Sequence, residues 1–284
     1  MNGVLIIDKE KNYTSRDIVN IVGKTFHTKK VGHTGTLDPL ATGVLVICVG
    51  KATKLVELLT DHDKEYIADM TFGIETDTLD NTGKILKNEE KIISKKEILT
   101  ALQFYEKEYE QVVPLYSAVR IHGKKLYEYA REKEEVKLPS RKVKIEKIEL
   151  LKYETIHNQT HIQIKCHVSK GTYIRSLIRD IASFLGTSAV MTDLRRTRVG
   201  NFTLNDAITL KELNENSKLL KIEEVLSYPI ITVDGNLEFK IKNGCKIENT
   251  YKEQVVLFKN KNQVLGLYKD ENGMLKPYKM FYEE

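Results

Sequence analysis

Apolar residues recur along the chain with two periods, and the switches between them mark its elements. Gly3 to Asp8 reads as a first strand, after which Thr14 or Ser15 caps a helix to about Phe26 with Ile18, Ile21 and Val22 on one face. Val44 to Val49 is an unbroken apolar run, as in a strand covered on both faces, and Ala52 to Leu59 follows at helical spacing. Tyr66, Ala68, Met70 and Phe72 share one strand face, with Asp69 and Thr71 on the other. His161 to Val168 alternates in the same way, placing Ile162, Ile164, Cys166 and Val168 inward. The period then becomes helical through Ile174, Leu177, Ile178, Ile181 and Leu185, and Gly186 ends that helix. This order predicts an α+β domain over residues 1–228, built on a largely antiparallel sheet with flanking helices. From residue 229 the pieces shorten: Val255 to Phe258 and Val264 to Tyr268 read as strands, with turn signals at Asn243-Gly244 and Asn272-Gly273. A small β-rich domain is expected over 229–284.

Composition narrows the class. A chain of 284 residues suits one large domain and a small one, and 41% hydrophobic with 30% charged residues is an ordinary soluble balance. The net charge of +5 suits a polyanionic partner only weakly, because 40 acidic residues dilute the field, so local clusters must carry that reading. Cys48, Cys166 and Cys245 lie far apart with no CxxC pair, which points to free thiols, no metal site and a reducing, cytoplasmic setting. MNGVLIIDKE has no cationic segment before an apolar stretch, and no apolar run approaches bilayer length, so no membrane association is expected.

The most informative segment runs from Gly32 to Gly43, GHTGTLDPLATG, and feeds the run from Val44. Its three glycines permit conformations closed to other residues and close approach by a ligand. Pro39 restricts Asp38 to extended backbone, so the carboxylate is held at the mouth of a buried strand, where nucleophilic or general-base work requires it. The same residues also suit a tight turn in which Asp38 caps a helical turn beginning at Pro39. Val49-Gly50-Lys51-Ala52-Thr53 fails as a phosphate-binding loop, since Leu45 and Ala52 stand where glycine and a hydroxyl are needed, and the glycines miss the dinucleotide-binding spacing. No nucleotide cofactor is expected.

GHTGTLDPLATGVLVICVGKATK resembles the signature of the pseudouridine synthases, G-x-L-D-x-x-A-T-G-[VL]-L, and its Gly-His and Asp-Pro pairs resemble the TruB branch. GVLIIDKEKNYTSRDIV, DKEYIADMTFGIETDTLDNTG, VPLYSAVRIHGKKLYEYAR and SKGTYIRSLIRDIASFLG resemble further blocks of that branch in the same order. The resemblance implies a mixed-sheet pseudouridine synthase fold, a C-terminal β-barrel-like domain of the PUA type, and isomerisation of uridine at position 55 in the T-arm loop of tRNA. It implies that Asp38 is the essential carboxylate, acting by addition to the base, attack at C1′ or abstraction of the C2′ proton, and that Arg175 pairs with it. Tyr66 would stack on the target base, Tyr173 and Leu194 would line the uracil pocket, and Asp80 would lie near the substrate. His33 would stack within the RNA loop vacated by the flipped nucleotide.

With RNA as partner, basic clusters become candidate phosphate contacts: Arg120, Lys124 and Lys125, then Arg141 and Lys142, then Arg195, Arg196 and Arg198. The reaction is redox-neutral and implies no organic cofactor or metal. A monomer acting without a guide RNA is expected. A tRNA-folding chaperone and a guide-dependent synthase of the dyskerin type are the alternatives.

Overall fold

The computed structural model describes residues 2–282. It opens with β1 (Gly3–Lys9), α1 (Ser15–Thr25), β2 (Val31–His33) and β3 (Thr42–Val49). A 3-10 segment (Gly50–Leu55) and α2 (Val56–Thr60) lead to β4 (Lys64–Phe72), the hairpin of β5 (Ile74–Thr76) and β6 (Ile85–Asn88), α3 (Lys95–Tyr105) and β7 (Glu108–Val112). A second hairpin, β8 (Arg120–Ile121) with β9 (Lys124–Lys125), precedes α4 (Leu126–Glu132). Then come β10 (Ser140–Ile156), β11 (Gln159–Val168), α5 (Ile174–Phe184), β12 (Ala189–Val199) and β13 (Phe202–Thr203). The last part holds α6 (Ile222–Val225), β14 (Ile230–Thr232), α7 (Gly235–Lys242), β15 (Ile247–Glu248), β16 (Val255–Lys259), β17 (Val264–Glu271) and β18 (Met274–Met280).

The main sheet runs β1-β3-β12-β4-β11-β10-β7, with β2 beside β3 and β13 beside β12. Every neighbouring pair is antiparallel except β3 with β12, so the sheet is mixed and largely antiparallel, as the alternating patterns predict. The unbroken apolar run explains why β3 lies inside it. Leu45, Ile47 and Val49 join the core beneath α1 and α5, whereas Val44, Val46 and Cys48 join a second core on the opposite face. β1 divides likewise, with Leu5 and Ile7 on the first side and Val4 and Ile6 on the second. The second sheet, β14-β16-β17-β18-β15, closes that opposite face by contributing Leu257, Val264 and Leu267, joined by Phe281 from beyond β18. Cys48 and Cys166 are buried thiols pushed up to about 12 by burial, and Cys245 is exposed and free. No described helix is long and apolar enough to cross a membrane.

Three local expectations need correcting. Ala52 to Leu59 is a 3-10 segment followed by a short α-helix rather than one helix, because Thr53 Oγ1 donates to the Gly50 carbonyl at 2.7 Å and tightens the first turn. On α1, Val19 takes the buried place expected for Ile21, which is half-buried. Asn243-Gly244 ends a helix instead of joining strands, with Gly244 left-handed at φ 64° after α7. Leu237, Phe239 and Ile241 alternate with polar residues as a strand would, which hid that helix. Asn272-Gly273 does join β17 to β18, and both residues have positive φ, as the tightest hairpin turns need.

Candidate active site

The loop between β2 and β3 is built by groups that grip its backbone. The Ser15 hydroxyl, at the start of α1, both accepts from Leu37 N (2.9 Å) and donates to Leu37 O (3.2 Å). Lys9 is fully buried and donates from Nζ to the carbonyls of Tyr13 (2.7 Å), Glu10 (2.9 Å) and Pro39 (3.4 Å). Burial lowers its pKa to about 8, with the nearby Asp38 carboxylate opposing the shift. Arg196 is also buried, donating to Val44 O (2.7 Å) and Gly35 O (3.1 Å) across the loop. Gly43 makes this approach possible: its φ is 101°, and a Cβ there would stand 2.1 Å from Arg196 O.

Asp38 caps no helix: Ala41 N donates to the Asp38 carbonyl (3.0 Å) in an isolated turn. Its carboxylate instead meets Arg175, whose Nη2 lies 2.9 Å from Asp38 Oδ2. The Asp38 side chain keeps 36% of its exposure while that of Arg175 keeps 5%. Arg175 is therefore a buried anchor and Asp38 an accessible, oriented anion. Arg175 also donates to the carbonyls of Thr78 and Tyr116, each at 2.9 Å, and its Nε stands 3.9 Å from Asp80 Oδ2. Asp80 accepts from the Thr78 and Thr82 hydroxyls and from Thr82 N. It is buried beside Arg175 and is not among the residues that line the cavity.

Asp38 and Arg175 face a cavity of about 340 Å³, walled by Tyr66, Tyr173, Leu194 and the loop from Thr34. Tyr66 on β4 and Leu194 on β12 are buried and bring an aromatic and an apolar surface to neighbouring strands, Leu194 lying opposite Ala68 two residues along from Tyr66, a slot suited to a flat base. The Arg141 guanidinium lies 5.3 Å from the Tyr173 ring centroid at the edge of the same cavity. His33 is not among the lining residues. Its Nδ1 accepts from Gly35 N (3.3 Å), and burial, then Arg196 and Arg16, hold its pKa below the usual range, so it stays a neutral ring at pH 7.

The basic candidates separate by environment. Arg141 lines the cavity, and Arg120 is exposed with Nη1 on Gly123 O (2.6 Å). Lys125 donates to the Tyr127 hydroxyl (3.0 Å). Lys124 is held between Glu132 and Glu134, Lys142 pairs with Glu108 (3.1 Å), and Arg195 pairs with Asp8 (2.7 Å). Arg198 pairs with Asp63 (3.1 Å). Arg196 lies inside the cavity wall rather than on an open face: it is 2% exposed and donates to the loop backbone. Consecutive arginines on a strand point to opposite sides, so Arg195 and Arg196 part, and the Arg196 backbone packs against Gly43.

Sequence reasoning missed three residues here. Lys9 carried no signal beyond ending an apolar strand. Lys64 lines the cavity, donates to Thr60 O (2.7 Å) and His62 O (2.5 Å), and is lowered to about 8 by burial and then by Arg196. Ser117 also lines it, and its hydroxyl is buried with no hydrogen-bond partner among the described residues.

Comparison with known proteins follows the same outline. Residues 23–174 match the model of the TruB family pseudouridylate synthase N-terminal domain, and residues 175–235 match that of the tRNA pseudouridylate synthase B C-terminal domain. The chain is 40% identical to tRNA pseudouridine synthase B of Caldanaerobacter subterraneus subsp. tengcongensis over 286 residues, 99% of each chain. It is 42% identical to tRNA pseudouridine synthase B of Clostridium tetani over 277 residues, 95% of this chain and 93% of that one. Among solved structures, a Cbf5-Nop10-Gar1 complex matches with a TM-score of 0.73 at 25% identity, covering 99% of this chain and 85% of that one. An H/ACA RNP bound to a substrate RNA containing 2'-deoxyuridine shares the fold, with a TM-score of 0.71 at 23% identity over the same shares.

Proposed function

The chain belongs to the TruB family of pseudouridine synthases and isomerises uridine to pseudouridine in tRNA; from that premise we propose that its target is the uridine at position 55 of the T-arm loop, with Asp38 as the essential carboxylate. The observation that carries this assignment is the Arg175–Asp38 pair at 2.9 Å, opening onto a slot between Tyr66, Tyr173 and Leu194.

The reaction breaks the bond from C1′ to N1 and makes one from C1′ to C5, with C5 giving up its proton and N1 taking one up, so the base must leave the RNA stack and turn in place. A slot of about 340 Å³ is of a size to admit one extruded base. Arg175 keeps the ionised Asp38 carboxylate aimed into that slot by charge-assisted hydrogen bonding. Tyr66 offers its ring to the base. Arg141, at the rim, suits a flanking phosphate, and the neutral His33 ring suits stacking in the gap left by the flipped nucleotide. No step calls for a metal or an organic cofactor. We take residues 229–284 as a PUA-like RNA-binding part of a monomer that works in the cytoplasm without a guide RNA.

The test is pseudouridine mapping on an unmodified tRNA transcript treated with wild type or Asp38→Asn. Product at the T-loop uridine with wild type alone is the expected result. Product elsewhere, or from Asp38→Asn, overturns the assignment. Retained tRNA binding and refolding by Asp38→Asn would add a chaperone activity to the modification.

A further inference from the structure

We infer that Gln111, on β7, is a positioning residue for this reaction: its buried side-chain amide sets where the start of α5 presents Tyr173 and Arg175 to the cavity. The inference rests on the assignment of Asp38 and Arg175 made above.

The N-terminus of α5 has no side-chain cap of its own. Tyr173 occupies the capping position, and its N–H is one of the donors that a helix start leaves unpaired. Gln111 Oε1 accepts it at 2.8 Å. Gln111 is 0% exposed, so its amide needs partners at both ends, and it has them. Its Nε2 donates to the Tyr109 hydroxyl (2.7 Å), which donates to Asp180 Oδ2 (3.1 Å), and Arg179 holds Oδ1 of that carboxylate at 2.7 and 2.9 Å. This chain of donors fixes which end of the amide faces Tyr173. The other bonds between β7 and α5 lie deeper along the helix: Ser176 Oγ (2.8 Å) and Arg179 Nη2 (3.2 Å) both donate to Val112 O. They dock the helix without Gln111, which leaves Gln111 as the contact at the cavity end.

The neighbouring strand completes the grip. β10 places Arg141 opposite Gln111 in register, and the Arg141 guanidinium covers the Tyr173 ring. Tyr173 is thus held by its backbone from one strand and by its ring from the next. Arg175 lies two residues on, so a tilt of this turn moves the cation that aims Asp38.

The experiment compares Gln111→Met, Gln111→Glu, Tyr109→Phe and Ser176→Ala in the full chain, with Asp38→Asn as control, on an unmodified tRNA transcript. Single-turnover rate at saturating enzyme and Kd for the RNA are measured separately. Gln111→Met is expected to slow the rate roughly 10- to 100-fold, as an ångström-scale misplacement does, with Kd within about twofold. Gln111→Glu should recover most of that rate, because it still offers an oxygen to Tyr173 N–H while Tyr109 can turn its proton toward the new carboxylate. Tyr109→Phe, which removes only the group orienting the amide, should slow the rate by roughly 3- to 10-fold, and Ser176→Ala should stay near wild type. Wild-type rates in both Gln111→Met and Tyr109→Phe overturn the inference, as do equal losses in Gln111→Met and Gln111→Glu, or an equal loss in Ser176→Ala. If Gln111→Met fails to fold, Tyr109→Phe decides alone. An active Asp38→Asn refutes the site itself, whereas an inactive Asp38→Asn beside unimpaired Gln111 variants refutes only the role of Gln111.

Discussion

Arg175 Nη2 lies 2.9 Å from Asp38 Oδ2, and the same guanidinium closes hydrogen bonds of 2.9 Å to the carbonyls of Thr78 and Tyr116. One side chain therefore joins the loop that carries the carboxylate to the Thr78 turn and to the Tyr116 segment, whose Ser117 and Ala118 border the cavity. An ammonium keeps the charge but cannot reach three acceptors in a fixed fork. Arg175→Lys is expected to lower the modification rate at least about 100-fold and to cost about 2–3 kcal/mol of stability from unsatisfied buried carbonyls. Single-turnover pseudouridine assays and denaturant melts read the two effects. A Lys variant with wild-type rate would show that the fork is dispensable.

Gly43→Ala tests the seat of the loop. The added methyl would stand 2.1 Å from the backbone oxygen of Arg196, at a φ of 101° that side chains avoid. Because that neighbour is main chain within the sheet, it cannot move aside. A loss of about 3 kcal/mol or more is expected, read as a lower denaturation midpoint, and activity should fall further than the folded fraction accounts for.

Lys9 makes stability depend on alkaline pH. Its folded pKa of about 8 lies below the ordinary 10.5, so between these values the unfolded chain binds the extra proton and stability rises with pH. The stability of wild type minus that of Lys9→Met should therefore grow by about 2–3 kcal/mol from pH 8 to 10.5. Lys64 is present in both proteins and drops out of the difference. Urea melts across that range supply the measurement, and a flat difference would mean that the Lys9 amine keeps its ordinary pKa in the folded chain.

Arg141→Ala should weaken tRNA binding uniformly and reduce the slope of log K against log salt by roughly one. Lys124→Ala should leave that slope within error, since Glu132 and Glu134 already neutralise its ammonium. Filter binding of a tRNA transcript across a salt series distinguishes the two. Equal slopes for Arg141→Ala and wild type would remove Arg141 from the phosphate contacts.

The parts of the site legible in the sequence were those whose backbone demands leave a local trace. Pro39 and three glycines marked the loop, the apolar run marked β3, and the switch of period at Ile174 marked the helix bearing Arg175. What stayed hidden depends on contacts between distant segments. Lys9 and Arg196 look like surface cations until the loop is folded over them, and a basic cluster on a line of text does not reveal which arginine turns inward. Gln111 is one polar residue in a short strand, and its partner Tyr173 lies on an element far along the chain. α7 escaped for a different reason: its apolar residues keep the period of a strand, and only Gly244 beyond its end betrays a helix.

Strand β3, with one face in each apolar core, has a consequence for how the molecule opens. Its amides can exchange with solvent only when both cores part, so they should be among the slowest to exchange hydrogen for deuterium and should follow global unfolding. The catalytic loop springs directly from this strand. Its anchor therefore cannot loosen by a local excursion of the kind that lets surface loops fray. A fragment ending before the second sheet would strip Leu257, Val264, Leu267 and Phe281 from the core that holds Val44, Val46 and Cys48, and would weaken the loop's foundation although every residue of the cavity wall was still present.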